Sequence, residues 1–130
     1  MILQTTLTLA AAAVVINLWI FVRCVQVRAK HKILHGDGGV ALMGRRMRAH
    51  ANFIEHAPIM LVLIAVVELS GKGGRWLAIV GAVFMLGRVG HVIGMDSEKE
   101  NLARGLGMGV TLLTEIGVAA VAVLIALGKF

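Results

Sequence analysis

Residues 1–22 read MILQTTLTLAAAAVVINLWIFV and contain no charged side chain. A helix that crosses the hydrocarbon core of a bilayer needs about 20 mostly apolar residues. Residues 10–16 of this stretch are apolar at consecutive positions, whereas a barrel strand alternates apolar with polar residues. A continuous helix also satisfies its own backbone hydrogen bonds in lipid. The stretch therefore predicts a transmembrane helix. Because nothing before Arg23 is charged, it lacks the basic start of a cleaved signal peptide, and we expect a permanent helix.

Three further apolar stretches follow, so that the predicted spans lie at about residues 2–27, 47–70, 74–95 and 102–128. The chain is 58% apolar and 15% charged, whereas soluble domains are about 45–50% apolar and about 25% charged. This composition excludes a small soluble domain and a disordered chain. We expect an all-α integral membrane four-helix bundle, with residues 1–130 forming one four-span domain.

The arginines and lysines predict the orientation of the chain. Seven lie in residues 23–48 and two in residues 96–104, against three at positions 72, 75 and 129. Since basic residues favour the cytoplasmic side, we expect both termini on the non-cytoplasmic side. This bias explains most of the net charge of +6. No aromatic residues are interleaved with the basic ones, so we expect no nucleic-acid partner.

Several polar residues lie at membrane depth, where ionisable side chains usually face a bundle interior or a site. Their spacing places them on one face in each of three helices. These sets are Arg48, Asn52 and Glu55 in the second span, Arg88, His91 and Met95 in the third, and Arg104, Thr111 and Glu115 in the fourth.

The arginines in these sets come from three different spans. Converging guanidinium groups suit a ligand with carboxylates or phosphates, because each one offers a planar fork of donors. Asn52 would add amide donors, and Glu55 would hold an ammonium group or orient an arginine.

Structural alternatives remain open at the same residues. Arg48–Glu55 and Arg88–Glu115 are candidates for ion pairs that hold helices or subunits together. Arg104 is a candidate for ordinary snorkelling to the interface. We expect Glu68, near the far end of the second span, to reach the interface as well.

Other motifs are weaker. His31 and His35 have the spacing of two helical metal ligands, but two are too few and the glycine-rich residues 36–39 break a helix, so we expect no metal site. The single Cys24 excludes an intrachain disulfide and is interpreted as a buried, inert thiol. The glycines at 90 and 94, and at 105, 107 and 109, indicate close helix packing.

Residues 48–58, RAHANFIEHAP, resemble the signature of the MAPEG family, the membrane-associated proteins of eicosanoid and glutathione metabolism. That signature is Arg-Ala-(His/Gln)-x-Asn-x-x-Glu, followed shortly by Pro. Residues 87–91, GRVGH, and residues 26–28, QVR, are similar to family elements of the third and first spans. Residues 35–39, HGDGG, resemble the bacterial inner-membrane branch. With four spans, the resemblance covers essentially the whole chain.

The resemblance implies a homotrimer with glutathione, as co-substrate, bound between adjacent subunits near the cytoplasmic face. It implies that Arg104 matches the family's fourth-helix arginine, which stabilises the glutathione thiolate, and we predict Arg104 as the catalytic residue. His91 and Thr111 are candidates to line the site again where the family has tyrosines on helices three and four. The positions predicted to bind or support glutathione are Arg28, Arg48, His50, Asn52, Glu55, Arg88 and His91.

This chain departs from the family because it contains no tyrosine. Met95 and Met108 fall near the places of the family's tyrosines, so a different thiol or anion is an alternative ligand. The resemblance implies a glutathione-dependent transferase or peroxidase that acts on lipophilic electrophiles or hydroperoxides in the inner membrane of a bacterium. The alternative is a non-catalytic membrane protein that binds lipid or a small anion. A small transporter is disfavoured, because one buried carboxylate and four spans make a poor pathway.

Overall fold

The computed structural model describes residues 1–130 and has a helix at each of the four predicted spans. The helices are α1 (Gln4–His31), α2 (Ala41–Leu69), α3 (Arg75–Gly94) and α4 (Leu102–Ala126). Each is long and apolar enough to cross a membrane, and the chain contains no strand. The prediction of an all-α four-helix membrane bundle is confirmed.

Two helix ends differ from the predicted bounds at the first connection. α1 continues to His31 rather than to about residue 27, and α2 begins at Ala41 rather than at about residue 47. The predicted bounds mark where apolar residues give way to charged ones, but a helix keeps its backbone hydrogen bonds beyond the hydrocarbon core. α1 stops where Lys32 takes a left-handed conformation, with φ 54°, and the N–H groups of Lys32 and Ile33 both donate to the carbonyl of Arg28.

The helices form two closely packed pairs, α1 with α2 and α3 with α4. α2 and α3 touch each other in the middle of the bundle, whereas α1 and α4 are not in contact. Most of the large apolar side chains of α1 and α4 are exposed on the outside. The side chains that fill the centre are Ile20, Phe53, Met60, Ile64, Leu77, Phe84 and Val118.

Glycine allows α3 and α4 to approach closely. A Cβ atom on Gly107 would lie 2.5 Å from the carbonyl oxygen of Gly87 and 2.5 Å from the backbone nitrogen of His91. Small residues let helix backbones come this near in a membrane. Of the glycines predicted to pack closely, Gly94 and Gly107 do so against the opposite helix, Gly90 has ordinary spacing, and Gly105 and Gly109 face open space.

The connections at residues 32–40 and 95–101 lie at the same end of the bundle, and the adjoining helix ends carry most of the basic residues. Asp96 follows α3, and its Oδ2 forms ion pairs with Arg46 Nη2 at 3.0 Å and with Arg23 Nη2 at 2.6 Å. Burial would raise the pKa of Asp96, but the hydrogen bond from Arg46 and the charges of Arg23 and Arg46 outweigh burial and lower it below its ordinary value. Three segments are therefore tied together through one carboxylate.

Glu68 of α2 is hydrogen-bonded to the start of α1 at the other end of the bundle. Its carboxylate accepts the backbone N–H groups of Thr5 and Thr6, both at 2.8 Å, and the hydroxyl of Thr6 at 2.7 Å. These N–H groups belong to the first turn of α1, where no intrahelical acceptor exists. The side chain expected to reach the interface thus also caps a neighbouring helix.

Candidate functional site

The predicted polar face of α2 carries a surface ion pair. Arg48 Nη1 donates to Glu55 Oε1 at 3.1 Å, and the two side chains are 60% and 50% exposed. The Arg48–Glu55 pair that the sequence left open is therefore present. Because exposed pairs contribute little to stability, it does not explain why these residues lie here.

Arg88 lies on α3 and is fully buried. Its Nη2 donates to Asn52 Oδ1 at 2.6 Å, but its Nε and Nη1 have no partner. The Arg88–Glu115 ion pair that the sequence left open is absent. Buried polar groups are normally hydrogen-bonded, so this guanidinium has two donor nitrogens free for another acceptor.

His91 lies one helical turn beyond Arg88 and is also buried, with an unpartnered Nδ1. Arg88 and the Asn52 that accepts its hydrogen bond lie beside His91, on α3 and α2. The backbone of Arg104 packs against Gly94 at the end of α3, whereas Arg48 is exposed and paired with Glu55.

Arg104 lies in the first turn of α4, and Asn101 fixes that turn. Asn101 Oδ1 accepts the backbone N–H of Arg104 at 2.9 Å, and Asn101 Nδ2 donates to the carbonyl of Gly94 at 2.7 Å. One side chain thus caps α4 and ties it to the end of α3. Sequence reasoning missed Asn101, although asparagine before an apolar helix is a known capping signal.

A groove of about 630 Å³ lies between α1 and α2 on another side of the bundle. His50 Nε2 is 2.7 Å from Asn17 Oδ1 across the two helices, and Arg28 Nη1 donates to the carbonyl of Gly36 at 2.9 Å. Asn17 is a further contact that sequence reasoning missed. The groove is lined by Phe21, Cys24, Val25, Arg28, Met47, His50, Ala51, Ile54 and Glu55.

The predicted site residues thus fall into two groups within one chain. Arg28 and His50 face the groove, whereas Asn52 contacts Arg88 beside the buried His91. Two residues along an α-helix correspond to a rotation of roughly 160° between side chains, so His50 and Asn52 necessarily point to different sides of α2. One copy of the chain does not bring all the predicted residues together.

An intramembrane pair was missed as well. His56 Nδ1 lies 2.9 Å from Glu115 Oε1 and 3.2 Å from Oε2. The sequence singled out Glu115 but offered Arg88, not His56, as its candidate partner. A signal was available, because α2 and α4 both begin at the basic end and the two residues lie at similar distances along them.

Comparison with known proteins identifies the family. The model of the MAPEG family matches residues 6–124. The chain belongs to the MAPEG family. It is also 33% identical over 87 residues to the inner membrane protein YecN of Escherichia coli K12, which covers 67% of this chain and 66% of the relative. The protein of the same name from E. coli O6:H1 matches equally well.

The chain thus spans just under two thirds of the length of these relatives. The MAPEG match includes all eight predicted site residues, from Arg28 to Arg104. The MAPEG family includes membrane glutathione transferases and related enzymes. The roles of the individual residues stay predictions.

Proposed function

We propose that this MAPEG protein binds glutathione and uses its thiolate to conjugate lipophilic electrophiles or to reduce lipophilic hydroperoxides. The observation that carries the proposal is Arg88, a fully buried guanidinium at membrane depth with two unpartnered donor nitrogens. An unsatisfied buried charge is costly, and an anionic ligand would supply the missing acceptor.

The charges of the region suit glutathione, which has two carboxylates, one ammonium group and one thiol. Arg48 and Arg88 would bind carboxylates through charge-assisted hydrogen bonds. Glu55, already beside Arg48, would accept the ammonium group. Asn52 Nδ2 remains available to the ligand, because only its Oδ1 is engaged by Arg88.

Arg104 would act on the thiol. A neighbouring positive charge favours the thiolate over the thiol, and the thiolate is the nucleophile. Arg104 lies where α4 leaves the basic end of the bundle, while Leu106, Leu113 and Ile116 further along α4 are exposed. A lipophilic substrate dissolved in the bilayer would reach the site along this apolar face.

The complete site would form between copies of the chain. The groove beside Arg28 and His50 would meet the Arg88 side of a neighbouring subunit in a homotrimer, because one chain separates these groups. By the positive-inside bias the site would lie towards the cytoplasm and the termini on the opposite side. The E. coli relative is named an inner membrane protein, and we infer the same location for this one.

The test is the ultraviolet absorbance of the glutathione thiolate on detergent-purified protein. We expect a thiolate signal with the native protein and with Arg75→Ala, which changes an arginine at the other end of the bundle. Arg104→Ala should lose the signal and the conjugating activity while still binding glutathione. A native protein without thiolate signal, or an Arg104→Ala variant that conjugates normally, would contradict the proposal.

The lack of any tyrosine in the chain favours one alternative, a protein that binds lipid or a small anion without catalysis. That function predicts thermal stabilisation by simple anions or lipid but no thiolate signal. Stabilisation by glutathione that Arg48→Ala abolishes would argue against it.

A further inference from the structure

A groove of about 800 Å³ lies at the end of the bundle opposite the proposed glutathione site. Its walls come from the first turns of α1, the end of α2 and the start of α3. Known ligand sites have volumes of about 300–1,000 Å³. The groove is therefore large enough for a ligand, and none of the contacts proposed for glutathione uses it.

Two opposite charges line this groove, Glu68 and Arg75. The Glu68 carboxylate accepts three hydrogen bonds, two on Oε2 from Thr6 and one on Oε1 from the backbone N–H of Thr5. An ionised carboxylate has about four acceptor positions, so one position on Oε1 remains. Arg75 is exposed and forms no ion pair with Glu68 or with another acid. One acceptor and one guanidinium are thus available in the same cavity.

The groove is polar at its mouth and apolar inside. Arg75, Ala78 and Ala82 are spaced i, i+3 and i+7, so they share one face of α3, and Ala82 lies about 10 Å further along the helix than Arg75. On α1, Leu9 lies one turn beyond Thr5 and packs against Gly81, where α1 and α3 come into contact. The charges therefore lie at one end of the groove and the apolar side chains at the other.

Trp76 indicates the depth of the groove in the membrane. Its Nε1 donates to the carbonyl of Lys72 at 3.1 Å, and its ring packs against Phe130 with the centroids 5.9 Å apart. Tryptophan is enriched where the headgroups of the bilayer lie. The adjacent Arg75 is therefore at headgroup level, whereas Ala82, two turns further, lies among the acyl chains.

We propose that this groove binds a phospholipid whose headgroup carries a primary ammonium group, as in phosphatidylethanolamine. The phosphate accepts charge-assisted hydrogen bonds from Arg75. The ammonium group donates to the remaining position on Glu68 Oε1. The first part of an acyl chain lies against Leu9, Ala78 and Ala82. The site does not depend on the proposed glutathione chemistry, which lies at the other end of the bundle.

Other ligands satisfy only part of the groove. An anionic headgroup such as phosphatidylglycerol would pair with Arg75 but has no cation for Glu68. A choline headgroup is positive but has no N–H to donate to Oε1. A small water-soluble zwitterion would leave the apolar floor without a partner. A phospholipid with a primary ammonium group matches the cation, the acceptor and the floor together, and it would join the three helices at this end.

The test is native mass spectrometry of the detergent-purified protein titrated with three phospholipids that carry the same acyl chains. A hydrogen bond to a charged group changes affinity by about tenfold or more. We therefore expect phosphatidylethanolamine to bind about tenfold more tightly than phosphatidylcholine or phosphatidylglycerol. Equal affinities would mean an adventitious lipid only, and tightest binding of phosphatidylglycerol would mean a simple anion site. Either result would overturn the inference.

Two variants address the two charges separately. Arg75→Ala should lower the affinity for phosphatidylethanolamine by about tenfold or more. Glu68→Gln removes the negative charge and should bring the affinities for phosphatidylethanolamine and phosphatidylglycerol close together. Lys72→Ala is the matched control, because Lys72 is an exposed basic residue of the same connection that does not line the groove. It should leave all three affinities unchanged.

Ala82→Leu provides a test that keeps both charges, because it fills the apolar floor and should lower the affinity for phosphatidylethanolamine. If Glu68→Gln does not fold, since Glu68 also caps α1, then Arg75→Ala and Ala82→Leu carry the comparison. Native affinity in both would overturn the inference. The same spectra report the number of copies in the assembly. A change in that number without loss of lipid would show that the groove is an interface between copies, which would also overturn it.

Discussion

Arg88 carries a positive charge that is fully buried and only partly hydrogen-bonded. Its one hydrogen bond goes to Asn52. Replacing a poorly compensated buried charge by an apolar side chain of similar length is often neutral or stabilising. A residue retained only for the fold would not carry this cost. Arg88 is therefore better explained by what it binds than by what it stabilises.

Arg88→Met tests this explanation. A hydrogen bond to a charged group contributes about 1.5–3 kcal/mol, and each 1.4 kcal/mol is about tenfold in affinity. We expect glutathione affinity, measured by calorimetry in detergent, to fall about tenfold or more. The melting temperature without ligand should not fall, because the methionine removes the unpaired charge. A variant that melts earlier but binds glutathione normally would assign Arg88 to the fold.

At the scale of the elements, Asp96 joins α1, α2 and the connection before α4. Its pKa is lowered, because the hydrogen bond from Arg46 and the nearby charges outweigh burial. A carboxylate with a lowered pKa in the folded state stabilises the fold above its ordinary pKa, and this stability is lost as the pH falls through the folded value. The loss of stability below pH 3.8, the ordinary pKa of an aspartate, should therefore depend on Asp96.

Asp96→Asn should lower the free energy of unfolding by about 1–3 kcal/mol at neutral pH. Its stability should also change less than that of the native protein as the medium becomes strongly acidic. Thermal unfolding in detergent across pH measures both effects. Glu98→Gln is the control, since Glu98 is 79% exposed and 3.8 Å from Arg45. If the native protein and Asp96→Asn lost the same amount of stability as the pH fell, the ion pairs of Asp96 would not stabilise the fold.

The contact between α3 and α4 depends on Gly107. A Cβ atom at this position would meet the backbone of Gly87 and His91, which cannot move aside as a flexible side chain can. Overpacking of this kind costs about 1–3 kcal/mol. Gly107→Ala should therefore lower the melting temperature and, by moving α4, weaken glutathione binding. Gly109→Ala has open space at the same depth and should show neither loss.

At the scale of the whole molecule, the sequence was sufficient for the architecture. Four apolar stretches with charges between them predict four helices, because the bilayer permits few other backbones. The helical period likewise predicts that Arg48 and Glu55 share a face, and their ion pair forms. Both predictions depend on distances along the chain, which a regular helix converts directly into geometry.

Contacts between helices were harder to predict, because they depend on the rotation and depth of each helix. The sequence offered Glu115 as a partner for Arg88, whereas packing turns Glu115 to His56 and Arg88 to Asn52. The role of Asp96 was missed for the same reason, since its partners lie about 50 and more residues away in the chain. Spacing within a helix carries no information about which side chain of another helix lies opposite.

The separation of the predicted residues into two groups leads to a prediction for the assembly. Each proposed site combines the Arg28 groove of one subunit with the Arg88 side of the next. Arg28→Ala therefore damages the groove half of a site, and Arg88→Met damages the other half. Each variant alone should bind glutathione poorly. Each cyclic trimer that contains both variants has one junction at which the two intact halves meet, so the mixed trimers recover about a third of their sites. Co-expression of two differently tagged variants, tandem purification and calorimetry would measure this recovery. A site contained within one chain would show no recovery at any mixing ratio, since every chain would carry one damaged residue.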